Sequence, residues 1–127
     1  ASDFRETSSY REVMAMAERL AALSEDIHLT SFGETVEGRS LPLLVLGAPD
    51  ATPEAVRATG KTRVYLQGNI HAGEVCGKEA LLMLVRDWAL GRYPDWTRDL
   101  VLLVAPIYNA DGNERTALTN RPRQHGP

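Results

Sequence analysis

The stretch Arg63-Val64-Tyr65-Leu66-Gln67-Gly68-Asn69-Ile70-His71-Ala72-Gly73-Glu74-Val75-Cys76-Gly77-Lys78-Glu79-Ala80 decides how this chain is read. Arg63 to Gln67 reads as a strand. Glu74 to Leu90 reads as a helix, with Gly91 as its stop. It is apolar over most of its surface, which predicts a helix buried on most sides. Between strand and helix lie His71 and Glu74, three residues apart. At the entrance to a helix that spacing points both side chains the same way. An imidazole and a carboxylate are both good zinc donors, and active sites of open α/β sheets lie at such strand-to-helix switches. The bland alternative is an N-terminal charge, with Glu74 favoured there by the helix dipole. Strand, Gly, His, Gly, Glu and helix in that order give the pair a context, and on this stretch alone the two readings stand level.

Working outward, Leu100 to Ala105 is almost wholly apolar, as expected for a strand covered on both faces. Arg63 to Ala105 is therefore a strand-helix-strand unit, with Arg63–Gln67 and Leu100–Ala105 as neighbours in one sheet. Upstream, Ser9-Tyr10-Arg11-Glu12 fits a capping box. Tyr10, Val13, Met14, Ala17, Leu20 and Ala21 then recur at helical spacing, which predicts an amphipathic helix ending near Leu23. His28 to Val36 and Leu41 to Leu46 read as two antiparallel strands joined by the turn Glu37-Gly38-Arg39-Ser40. Pro42 fits best at the start or edge of its strand. Gly47 to Gly60 and Gly91 to Asp99 read as loops, and no regular element is evident from Pro106 onward. The fold class that follows is α/β, a mixed parallel/antiparallel sheet flanked by helices.

The chain has 127 residues, enough for one domain of ordinary size. Its 43% hydrophobic and 24% charged residues are ordinary for a globular protein. A net charge of −3 with no basic stripe argues against nucleic acid. Arg115, Arg121 and Arg123 do gather near the end, as a solvated loop or as part of a cleft. Cys76 is the only cysteine, so no internal disulfide forms; on an apolar helix it is expected to be a small buried hydrophobe. The longest apolar run, Ala80 to Val85, is too short to cross a bilayer. No signal peptide is visible, and the sequence leaves the compartment undetermined.

Two further motifs are Pro106-Ile107-Tyr108-Asn109-Ala110-Asp111-Gly112-Asn113 and Asn120-Arg121-Pro122-Arg123-Gln124-His125-Gly126-Pro127. With His71-Ala72-Gly73-Glu74 before them, in that order, the chain resembles the N-terminal half of the catalytic domain of a zinc metallocarboxypeptidase of the carboxypeptidase A type. The opening helix and Ser31 to Ser40 resemble the front of that family, so the resemblance covers nearly the whole chain, 1–127. Ala110 stands where the family usually has Pro, a departure expected to affect a turn and not the chemistry.

The resemblance implies an enzyme that hydrolyses C-terminal peptide bonds with a zinc-activated water. His71 and Glu74 would be metal ligands, and a peptide would be the substrate. Arg121 or Arg123 would face the substrate and its developing oxyanion; the sequence does not choose between them. The family's second zinc histidine, its catalytic glutamate and its Asn-Arg substrate pair lie far downstream, and nothing here fills those places. His28 and His125 are poor candidates for the third ligand. No catalytic base is therefore expected in this chain, which reads as an incomplete catalytic domain. It is expected to be inactive alone, to bind zinc poorly, and to self-associate through an open sheet edge. Asn109 and Asp111 are expected to shape a turn, with Asp111 a weaker candidate to orient His71. Two rival readings remain: an amidohydrolase resembling succinylglutamate desuccinylase or aspartoacylase, and a non-catalytic binding module on the same scaffold.

Overall fold

The computed structural model describes residues 5–117. Ser9 opens the first helix, α1 (Tyr10–Ala21), through the expected capping box: its side chain accepts from Glu12 N while the Glu12 carboxylate accepts from Ser9 N. Two strands follow, β1 (Ile27–Glu34) and β2 (Ser40–Leu46), paired antiparallel. Then come α2 (Pro53–Ala58), β3 (Thr62–Gln67), α3 (Cys76–Ala89), α4 (Pro94–Asp99), β4 (Leu100–Ala105) and α5 (Ala110–Glu114). The sheet order is β1-β2-β4-β3, with β4 antiparallel to β2 and parallel to β3. The predicted mixed sheet and the pairing of Arg63–Gln67 with Leu100–Ala105 are both present. Pro42 sits in the part of β2 that has β1 as a neighbour but lies before the pairing with β4 begins at Leu44.

Alternation along β2 and β4 sorts their side chains onto two faces. Leu44, Leu46, Leu102 and Val104 pack with Val13, Ala17 and Leu20 of α1 and with Leu82, Val85 and Trp88 of α3. Val45 and Val101 face the other way, towards Ala48 and Val56 of the α2 segment. A strand buried on both faces has no polar positions, which is why β4 is apolar throughout.

Several expected boundaries are corrected. The stretches read as loops contain α2 and α4, and the tail beyond Pro106 contains α5. Each is five or six residues long, too short to show helical periodicity; α4 is marked by Pro94 in its first turn, and α2 by Pro53 together with its Thr52 cap. The helix expected from Glu74 starts at Cys76, so His71 and Glu74 both lie in the preceding turn. That helix is also not buried on most sides. Its buried stripe is Lys78, Leu82, Val85 and Trp88, while Met83 is exposed. Cys76, expected to be buried, is exposed, because it opens α3 off the stripe of Lys78, Leu82, Val85 and Trp88 that faces the interior.

Candidate active site at the carboxyl ends of β3 and β4

The two parallel strands β3 and β4 end side by side, and their hydrogen bonding continues into the loops that follow. Gly68 N donates to Ala105 O (3.0 Å), Tyr108 N to Gly68 O (3.0 Å) and Asn109 N to Asn69 O (2.9 Å). Asn109 adds a side-chain bond from Nδ2 to Ile70 O (3.1 Å). The two loops are thus one zipped unit, and His71 leaves from its end. Gly68 is where α3 meets this unit: a Cβ there would lie 2.8 Å from Gly77 C and 2.9 Å from Lys78 N. Only glycine allows that approach.

His71 and Glu74 are held in one tight turn. Glu74 N donates to His71 O (3.0 Å), and Gly73 within the turn has φ +84°, a conformation that side chains rarely adopt. Both residues are exposed. His71 lines a cleft of about 500 Å³ with Val36, Glu37, Asn109, Asp111 and Arg115. One imidazole and one carboxylate in a single exposed turn suit a zinc ion as two of its three protein donors. Among the described residues no group of three His, Cys, Asp or Glu side chains could hold a metal. His28 does not join the site; its Nε2 lies 2.9 Å from Ala48 O. His125, Arg121 and Arg123 fall outside the described residues.

The opposite wall of the cleft is charged. Arg39 Nη1 donates to Asp111 Oδ1 and to Glu37 Oε2, each at 2.6 Å. Glu37 N donates to Asp111 Oδ2 (3.1 Å), and Arg115 Nη2 donates to Glu37 Oε1. Asp111 is therefore not the partner of His71: its two oxygens join α5 to the β1–β2 turn. Asn109 shapes a turn as expected, its Oδ1 accepting from Gly112 N (2.9 Å) to cap α5. The Glu37-Gly38-Arg39 sequence read only as a turn, because nothing in the local pattern says that Arg39 will meet Asp111, 72 residues away.

Behind the site lies a second feature that periodicity could have found. Lys78 occupies the first position of the buried stripe of α3 and is fully buried. Its Nζ donates to Asn113 Oδ1 (2.6 Å) and to Ser8 O. Burial pushes its ammonium below the usual lysine value, against the opposing pull of Glu79 and Glu114. Glu79 accepts from Thr7 Oγ1 (3.0 Å), Ser8 N (2.8 Å) and Ser8 Oγ (3.0 Å). Burial acts to raise its carboxyl, but these bonds and the Lys78 charge leave it below the ordinary range. Glu114 is lowered chiefly by the bond from Tyr10 N (2.7 Å). The starts of α1 and α3 and the body of α5 are thereby tied together.

Comparison with known proteins agrees with this architecture. The family model described as zinc carboxypeptidase matches residues 13–126. Carboxypeptidase 2 of Trichophyton rubrum is 36% identical over 80 residues, covering 60% of this chain and 14% of that protein. Carboxypeptidase D of Rattus norvegicus is 38% identical over 105 residues, covering 68% of this chain and 8% of that protein. Among solved structures, the carboxypeptidase A of Helicoverpa armigera superposes with a TM-score of 0.71 at 22% identity, covering 84% of this chain and 25% of the other. The metallo-carboxypeptidase of Burkholderia cenocepacia gives 0.68 at 25% identity, covering 84% and 28%. The chain thus spans a quarter or less of the length of most of these proteins, and its sheet is a part of theirs. By the family match over nearly its whole length, the chain belongs to the zinc carboxypeptidase family.

Proposed function

We propose that this chain forms the metal-binding front of a zinc-dependent metallocarboxypeptidase that removes residues from the free C-terminus of peptides. The observation that carries the reading is the placement of His71 and Glu74 in one exposed turn at the carboxyl ends of two parallel strands, opening onto a cleft, within a family match over residues 13–126. In this reading His71 and Glu74 hold zinc, which supplies Lewis acidity and an activated water when bound. The cleft between His71 and the Glu37–Arg39–Asp111 wall receives part of the peptide. Arg121 or Arg123 faces the reacting carbonyl. The third protein ligand and the base come from chain beyond Pro127; the small share of its relatives that this chain covers supports that division.

The test compares the 127-residue chain with a protein extended along its own gene. The extended protein is expected to cleave peptides with a free C-terminal carboxylate, to spare C-terminally amidated ones, and to lose activity in His71→Ala. The 127-residue chain is expected to be inactive with added zinc. Zinc-dependent cleavage by the short chain, lost in His71→Ala, would show a complete site within it and overturn the division. Hydrolysis of N-acyl amino acids in place of peptides would replace the carboxypeptidase reading with an amidohydrolase one. No cleavage and no zinc uptake by the extended protein would leave a binding module.

We further propose that the isolated chain self-associates through β3. Among the described residues β3 pairs with β4 on one side only, and Tyr65 is exposed on it. An unpaired strand edge with exposed apolar side chains is a template for another strand.

A further inference from the structure

We propose that Asn69 is a positioning residue for His71, one that holds the imidazole-bearing turn at some cost to the stability of the fold. Three observations meet at this side chain. First, Asn69 is the one non-glycine among the described residues with a positive φ, 54°. Asparagine tolerates that left-handed conformation better than most residues, and it turns the chain sharply between the end of β3 and His71. Second, Asn69 Nδ2 donates to His71 O (3.2 Å), the same carbonyl that accepts from Glu74 N (3.0 Å). One oxygen thus gathers the residue before the turn and the residue that closes it. Third, Asn69 is 3% exposed and its Oδ1 has no donor among the described residues. Exchanging the two ends of the amide does not relieve this, because it would set Oδ1 against the His71 carbonyl and lose the bond that exists.

A buried amide with one end unpaired lowers stability. A glycine would supply the left-handed backbone without that cost. The side chain is therefore not explained by the fold's stability. What it adds is the bond to His71 O. That bond fixes the peptide plane between His71 and Ala72, and with it the direction in which the His71–Glu74 turn presents its side chains. Asn109 clamps the same loop from the other side, through Asn69 O and Ile70 O, but leaves the His71 carbonyl to Asn69. The functional weight of this role rests on reading His71 as a zinc ligand; the positioning itself does not.

Two variants of the 127-residue chain separate the backbone from the amide. Asn69→Gly keeps the left-handed backbone and removes both the bond and the orphaned acceptor. Asn69→Asp keeps a residue that tolerates this φ and replaces the donor with an oxygen. Amide hydrogen exchange is measured at Glu74 and, as a reference for global opening, at Val104 in β4. Asn69→Gly is expected to melt close to the parent and to keep parent exchange at Val104; Asn69→Asp, which sets a buried carboxylate against the His71 carbonyl, is expected to melt lower, so its exchange at Glu74 is read relative to Val104. At Glu74 exchange is expected to quicken roughly tenfold, the size of effect for one lost hydrogen bond. In a zinc titration of the protein extended along its own gene, followed by the His71 imidazole resonance, both substitutions are expected to need several-fold more zinc than the parent. Glu74 exchange that is unchanged, or that rises only in step with Val104, overturns the proposal. So does parent-like behaviour of Asn69→Asp, since the amide donor would then be irrelevant. An extended parent whose His71 ignores zinc sinks the metal reading alone, and the exchange comparison still decides the role of Asn69.

Discussion

Gly68 shows how a single residue fixes the distance between sheet and helix. The backbone of α3 passes so close that an added Cβ would meet Gly77 C at 2.8 Å and Lys78 N at 2.9 Å. Both are backbone atoms at the start of a helix anchored by Lys78, so neither can swing aside. Gly68→Ala is expected to destabilise the chain by about 1–3 kcal/mol, the usual cost of overpacking. It should also displace the His71 turn, which hangs from the same loop. Urea denaturation checks the first effect, and the amide shifts of residues 69–74 check the second. A variant as stable as the parent, with unchanged shifts, would mean that α3 yields.

At the scale of elements, carboxylates join the start of α1 to the first turn of α3 and to the end of α5. Glu79 of α3 holds the segment before α1 through three hydrogen bonds, and Glu114 of α5 accepts from the first residue of α1. Both carboxyls are lowered in the folded chain. The unfolded state then binds more protons than the folded state as the pH falls below the ordinary glutamate value of about 4.3. The stabilisation is fully present above that value and is lost as the pH drops through the lowered ones. Urea midpoints are expected to fall between about pH 6 and about pH 3, and less steeply in Glu79→Gln. Equal slopes for the two proteins would mean that Glu79 contributes nothing to the acid response. The elements themselves were legible to different degrees. The capping box and apolar spacing of α1 are local, and so is the run of apolar residues in β4. α2, α4 and α5 are too short to carry a period and owe their form to the loops they close.

At the scale of the whole molecule, the sheet is asymmetric. One face is covered by α1 and α3, the other in part by α2, and β3 closes no further pair among the described residues. If the edge of β3 drives association, a charge there should oppose it, as it does on natural edge strands. Tyr65→Lys is expected to lower the average mass of the 127-residue chain in sedimentation at a given concentration, with little change in melting. An unchanged mass would remove β3 as the contact.

The sequence by itself determined the mixed sheet and the order of its main elements, because these rest on local spacing: apolar residues at helical or strand period and a cap three residues from its glutamate. The family was legible through a resemblance, carried by His71-Ala72-Gly73-Glu74 and the motifs that follow it in order. The sequence also placed His71 and Glu74 after β3, since chain order alone puts them there. What only the tertiary structure decided are the contacts between residues far apart in sequence. Arg39 meets Asp111 in one wall of the cleft, so Asp111 does not orient His71. Lys78 is buried against Ser8 and Asn113, and Cys76 on the same helix is exposed. Asn69 turns its amide inward onto the His71 carbonyl. Periodicity tells which side of an element is apolar, but a hydrogen bond or ion pair depends on where two separate elements come to rest, and that is set by the packing of the whole sheet.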